Sequence, residues 1–190
     1  MKNNLPKIGV VGVGHLGQHH VKHLSNNNTI SFSGIYDVDY ERAKEIAVEY
    51  NCNSYNSFDD LLNGSDAVSI VTPTRTHAKV AEQCIKAGKH VFIEKPITKT
   101  VAEADHLLQL ANESKVLIQV GHIERLNPAL IPLKDFELNP NYIEVQRLAP
   151  YTVRGTDVPV VLDLMIHDID IILSLVNSPV KNIHASGVSI

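Results

Sequence analysis

The sequence contains no tryptophan, only two cysteines in 190 residues, and no apolar run long enough to span a bilayer. Each absence excludes something. Cys52 and Cys84 have no close-spaced partner and no ligand-like spacing, which argues against a disulfide framework and fits a reducing compartment. Lysine and arginine number 17 against 21 acids and form no run, so no electrostatic footprint for nucleic acid or a membrane surface is present. The stretch from Met1 to Lys7 is polar and unlike a signal peptide. Repeats and low-complexity segments are missing too. The expectation is a soluble, cytoplasmic protein whose 44% apolar content is enough for a sizeable core.

What is present is concentrated first in Lys7 to His20, KIGVVGVGHLGQHH. Ile8, Val10 and Val11 form the β-branched run of a buried parallel strand, and Leu16, Val21 and Leu24 supply a helical apolar stripe after it. Between them Gly12, Gly14 and Gly17 give GxGxxG. The first allows a tight turn, the second a close approach of backbone to a pyrophosphate, and the third close helix–sheet packing, with the phosphates facing the helix N-terminus. Glycines after a strand are often only a turn, so a second feature is needed. Asp37 provides it, twenty positions beyond Gly17 at the close of the run Ile30 to Tyr36, where an acid holds the adenosine ribose hydroxyls. The plainer alternative is that Asp37 or Asp39 caps the next helix. The carboxylate would repel a ribose 2′-phosphate, and the next arginine is Arg42, so NAD is favoured over NADP.

Strand and helix then alternate. Asp39 opens a helix bearing Ala43, Ile46, Ala47 and Tyr50; Ser57 and Asp60 mark a short one; Ala67 to Val71 is a strand ending in Thr72-Pro73. A helix from about Thr76 stops at Gly88, His90 to Ile93 forms a strand ending in Glu94-Lys95-Pro96, and Thr100 with Glu103 makes a capping box before Val116 to Val120. This order predicts a doubly wound parallel sheet, an α/β Rossmann domain over residues 1–120. From Gly121 the rhythm changes: a polar segment, a short helix from Pro128, a strand Tyr142 to Leu148, a helix Val161 to Val176 and a strand Val180 to Ile190.

The helix VVLDLMIHDIDIILSLV is apolar nearly all round and is expected to be buried. Asp163, His167, Asp170 and Ser174 share one narrow face, and Asp168 points elsewhere. Asp163 and His167 are spaced i, i+4, which lets the carboxylate orient the imidazole and stabilise its protonated form. The alternatives are a satisfied core histidine in an ion network and a metal held by Asp163, His167 and Asp170, the latter disfavoured because no second His or Cys cluster converges in sequence. His19, His20 and His23 read as a solvated helix face; His15, inside the glycine loop, lines the pyrophosphate. Lys95 follows a strand at its carboxyl end, the side on which such sheets bind ligands, where its charge would lower the pKa of a substrate hydroxyl. The alternative is a surface lysine in a turn.

The strand HVFIEKPI, the three glycines, the segment around His77 and the helix DLMIHDID together resemble the glucose-fructose oxidoreductase/inositol dehydrogenase (Gfo/Idh/MocA) family over the whole chain. The resemblance implies a Rossmann domain followed, in residues 121–190, by the start of an α+β domain with an open, mostly antiparallel sheet that serves substrate binding and self-association. It also implies a catalytic group of Lys95, Asp163 and His167. The expected cofactor-facing residues are Gly12, Gly14, His15, Leu16, Gly17, Asp37 and Arg42, together with Thr72, Pro73, His77, Glu94 and Lys95. The second half looks similar to members acting on nucleotide-linked amino sugars, which makes Lys95, Arg125, Asn127, Arg147, Arg154 and His167 candidates to hold substrate, since guanidinium suits phosphate oxygens. Family members continue well beyond this chain's last residue, so a C-terminal truncation or a completing partner chain is expected. The expected function is NAD-dependent oxidation of a hydroxyl on a sugar or nucleotide-linked sugar by a homo-oligomer, without metal. The rivals are a non-catalytic dinucleotide or sugar sensor and a polyol or free-sugar dehydrogenase.

Overall fold

The computed structural model describes residues 5–148 and 158–188. Five short strands form one parallel sheet in the order β2-β1-β3-β4-β5: β1 (Lys7–Val11), β2 (Ser31–Tyr36), β3 (Ala67–Ile70), β4 (His90–Ile93) and β5 (Ile118–Val120). The chain leaves β1 to one side for β2 and returns past it to β3. The switch point therefore lies between the carboxyl ends of β1 and β3, where open α/β sheets bind their ligands.

Five helices alternate with the strands: α1 (Gly17–Ser25), α2 (Tyr40–Glu49), α3 (Phe58–Asn63), α4 (Thr74–Lys86) and α5 (Val101–Ser114). Asp39 caps α2 through the Arg42 N–H, Ser57 caps α3 through that of Asp60, and Thr100 and Glu103 close a reciprocal capping box on α5. Alternate strand residues face two cores. Val10, Val21, Ile35, Ala43 and Ile46 pack on the side of α1 and α2; Leu61, Val68, Ile70, Ile85, Ile93 and Leu107 pack on the side of α3, α4 and α5. Beyond α1 the first side of β3, β4 and β5 carries no helix among the described residues. A cavity of about 750 Å³ lies there, with Ile8, Ser69, Phe92 and Gln119 in its lining.

The segment after Gly121 differs from its expected form. Two 3₁₀ turns occupy Ile123–Leu126 and Ile131–Asp135, and the helix expected from Val161 is a π-helical turn at Val161–Met165 running into α6 (Ile166–Leu175). The stretches 142–148 and 180–188, expected as strands, form none, so the second sheet is not built among the described residues. A strand requires a ladder partner, and here Tyr142, Leu148, Ile183 and Val188 lie more than three-quarters exposed. Nor is α6 the buried apolar rod expected. Asp168 and Asp170 are its buried residues, while Ile169 and Leu173 are exposed. Among the described residues no helix is long and apolar enough to cross a membrane, and no group of three metal-ligating side chains occurs.

Candidate active site

The turn after β1 is shaped by its glycines in two different ways. Gly12 has φ +88°, and a Cβ there would lie 2.6 Å from the Val71 carbonyl oxygen; a Cβ on Gly17 would collide with the Gly12 carbonyl. These two glycines are demanded by the fold itself. Gly14 would meet nothing within 4 Å, so no packing contact requires a glycine there. That open space lies where a pyrophosphate would approach the N-terminus of α1. Asp37, at the end of β2, reaches the same turn: Oδ2 accepts the Val13 N–H at 2.7 Å and Oδ1 that of Asp39 at 2.9 Å. A carboxylate retains further lone pairs after two such bonds, so it can also accept from ribose hydroxyls. Leu16 and His15 are exposed beside the loop, while the Arg42 guanidinium turns to Glu45 at 3.2 Å.

Thr72 and Pro73 end β3 on the same edge, and His77 on α4 holds them against the next loop. Its ring is 1% exposed, with Nε2 2.8 Å from the Thr72 carbonyl oxygen and Nδ1 2.9 Å from that of Pro96. Lys95 follows β4. Its ammonium donates to Asp163, to the carbonyl oxygen at 2.6 Å and to Oδ1 at 2.9 Å. Two segments 68 residues apart thus meet through one charged pair whose side chains are 17% and 31% exposed.

His167 lies one helical turn beyond Asp163 but is not oriented by it, contrary to the i, i+4 expectation. The π-helical turn changes the spacing, and the carboxylate is taken by Lys95. The His167 Nδ1 is buried and makes no hydrogen bond. Burial first, then the charges of Lys95 and Arg147, push the imidazole below its usual range, so the neutral ring is favoured rather than the protonated one. A neutral imidazole beside an ammonium is suited to take a proton from a substrate oxygen that the ammonium holds.

The other polar residues of α6 are committed internally. Arg125 grips Asp170 with Nε and Nη2, each 2.6 Å from a carboxylate oxygen, and Arg147 grips Asp168 at 2.7 and 2.8 Å. These pairs hold both carboxyls below the usual range despite burial. Asn127 donates to Glu124 and accepts the Ala129 N–H. Arg125, Asn127 and Arg147, expected to face a sugar diphosphate, are therefore engaged within the protein. Arg154 lies outside the described residues.

One residue escaped the sequence reading. His20 belongs to no solvated face: its ring is 22% exposed, with Nδ1 2.9 Å from Ser69 Oγ and Nε2 3.0 Å from Glu94 Oε1. The signal was available. Gly17, His20, Val21 and Leu24 fall at i, i+3, i+4 and i+7, the inward stripe of α1, and Ser69 interrupts an otherwise apolar strand.

A parallel sheet with a glycine turn at its switch point, an acid closing the second strand and a lysine at the end of the fourth defines a dinucleotide-binding α/β protein. Within that class the chain belongs to the oxidoreductase family with an NAD-binding Rossmann fold (GFO_IDH_MocA), whose model matches residues 6–122. It is 43% identical over 184 residues to a UDP-N-acetylglucosamine 3-dehydrogenase of Acidithiobacillus ferrooxidans, an alignment covering 96% of this chain and 58% of that relative. A solved structure of that organism's UDP-N-acetylglucosamine 3-dehydrogenase GnnA matches with TM-score 0.84 and 44% identity, over 90% of this chain and 56% of the other. Inositol 2-dehydrogenase of Salmonella paratyphi B is 28% identical over 189 residues, 93% of this chain and 56% of the relative. The chain thus spans somewhat over half the length of the relatives it matches.

Proposed function

We propose that this chain binds NAD and carries the acid–base group of a dehydrogenase that oxidises a hydroxyl of a nucleotide-linked sugar. The observation that carries the reading is the convergence of the Lys95 ammonium, Asp163 and His167, whose Nδ1 makes no hydrogen bond, from two distant segments at the carboxyl edge of the sheet. Support for the cofactor comes from Gly14, which is free of any packing demand, and from Asp37, whose carboxylate reaches the same turn with lone pairs left for ribose hydroxyls. Gly12, Gly14, Gly17 and Thr72 would hold the pyrophosphate, and Asp37, without a neighbouring arginine aimed at it, favours NAD over NADP. Bound there, the nicotinamide supplies the hydride acceptor.

The chain's own residues do the rest. Asp163 fixes the Lys95 ammonium, which donates to the substrate hydroxyl and stabilises negative charge as it develops on that oxygen. The neutral His167 accepts the hydroxyl proton. Both groups are half-buried, where such charge interactions are stronger than in water. The nucleotide-linked sugar is favoured over a free polyol by the higher identity to the UDP-N-acetylglucosamine enzyme than to inositol dehydrogenase, 43% against 28%. A substrate domain from residue 121, with self-association through its sheet, belongs to the same proposal, and mass in solution tests the latter. The function is tested by following reduced-nicotinamide absorbance with UDP-N-acetylglucosamine, other UDP-sugars and myo-inositol. Reduction with a UDP-sugar and none with the polyol is expected; NAD binding without reduction by any of them overturns the enzyme reading.

A further inference from the structure

His20 joins three elements that the mechanism treats separately. It sits on the first turn of α1, immediately after the glycine loop, and its ring bridges Ser69 in β3 and Glu94 at the end of β4. A carboxylate only accepts hydrogen bonds, so Nε2 carries the hydrogen directed at Glu94 Oε1. The other oxygen of Glu94 accepts the backbone N–H of Lys95 at 3.2 Å. Space for this carboxylate is narrow: a Cβ on Gly121 would stand 3.0 Å from Oε1. On the far side of Lys95, His77 holds the Pro96 carbonyl. The lysine is therefore flanked by two residues that are each held by an imidazole, one from α1 and one from α4.

We propose that His20 is a positioning residue, which with Ser69 fixes the Glu94 carboxylate and through it the turn that aims the Lys95 amine. The proposal rests on the reading of Lys95 as the ammonium that meets substrate. Released from His20, the Glu94 side chain no longer fixes the turn through the Lys95 N–H, and the amine leaves its place against Asp163. Reacting groups displaced by about 1 Å lose on the order of a hundredfold in rate, so a device that holds the amine in place matters as much as the amine. The link also makes the helix that receives the pyrophosphate and the turn that bears the lysine a single hydrogen-bonded body.

The test reads the Lys95 amine directly. In the intact protein without dinucleotide, the acylation rate of Lys95 by acetic anhydride is measured by peptide mass spectrometry, with exposed Lys79 as internal reference. His20→Asn, which retains a group toward Ser69 but none toward Glu94, and Glu94→Gln should each raise relative Lys95 labelling about three- to tenfold, and the double variant no further than either single one. His20→Gln, whose amide nitrogen reaches the place of Nε2, should restore the wild-type rate. Ser69→Ala, expected to raise labelling about twofold, keeps the test open should His20→Asn lose its fold. In turnover assays His20→Asn should lower kcat about tenfold while the Kd for NAD stays within about threefold. Unchanged Lys95 labelling in a folded His20→Asn or Ser69→Ala protein overturns the proposal, as do equal effects of Asn and Gln or multiplicative effects in the double variant. Absence of dehydrogenase activity in the wild type would sink the functional reading while leaving the labelling result to decide the role of His20.

Discussion

Residues 7–121 and the described residues of 122–188 are organised by different forces. The first stretch is a layered structure whose strands bury Val10, Val68, Ile70, Val91 and Ile93 at 3% exposure or less against the helices packed on the sheet. The second stretch inverts that logic: its helix α6 buries Asp168 and Asp170 and leaves Ile169 and Leu173 exposed. It is ordered by directed charge pairs, Arg125 with Asp170 and Arg147 with Asp168, and it meets the first stretch through Lys95 and Asp163. Apolar burial is non-directional and holds a scaffold, whereas paired charges fix geometry at specific atoms. The division fits the proposal that one region supplies the binding platform and the other brings acid–base groups to its edge.

The largest expected effects test that division directly. Lys95→Ala and His167→Ala should each lower kcat about a thousandfold while leaving the Kd for NAD nearly unchanged. Steady-state kinetics with calorimetric titration of NAD separates the two quantities. Loss of NAD binding with turnover per bound cofactor preserved would show that binding and chemistry are not partitioned as described. Next in size, Ile70→Ala, at a site with no exposure in the sheet core, should cost about 2–5 kcal/mol of stability by denaturant unfolding. Ile183→Ala, 82% exposed in the second stretch, should stay within about 0.5 kcal/mol. Equal costs would mean that the second stretch has a core of its own.

The glycine loop sharpens the comparison within the first region. Gly14→Val adds a side chain where the protein has open space, so the melting temperature should hold while NAD affinity falls about a hundredfold. Gly12→Val forces a β-branched residue to φ +88° against the Val71 carbonyl and should lower stability whether or not NAD is present. A Gly14→Val protein that binds NAD normally would remove the pyrophosphate from this loop.

Legibility in the sequence followed the same division. The sheet, its order of elements and the caps at Asp39, Ser57 and Thr100 were readable because each depends on local periodicity or on residues three apart. The nearness of Lys95 to Asp163 was expected from a resemblance, since no local rule relates positions 68 residues apart. The partnership of Asp163 with His167 was misread because i, i+4 spacing presumes a regular α-helix, and a π-helical turn intervenes. The strands expected at 142–148 and 180–188 follow alternation, but a ladder needs a neighbour that alternation alone does not supply. His20 was overlooked because two adjacent histidines drew it into an exposed cluster, although only its face of α1 turns inward.

The smallest effect concerns protons. His167 is held below the ordinary histidine value of about 6.5 chiefly by burial, with Lys95 and then Arg147 adding to it. Above about 6.5 the ring is neutral in both folded and unfolded chains, and its titration contributes no dependence on pH. As pH falls through that value the unfolded chain takes up the proton first, so the contribution of His167 to stability declines until the folded ring also titrates. The acid limb of kcat/KM, set by the free protein's base, should accordingly lie below 6.5, and an NMR titration of the His167 ring should give the same midpoint. Arg147→Gln removes one cation while leaving the Asp168 carboxylate, so it should raise that midpoint slightly. Burial, the leading cause, stays in place, which is why the rise is small. A midpoint already above 6.5 in the wild type would show that the second stretch presents a protonated ring to the platform, and Lys95 would then have no neutral base beside it.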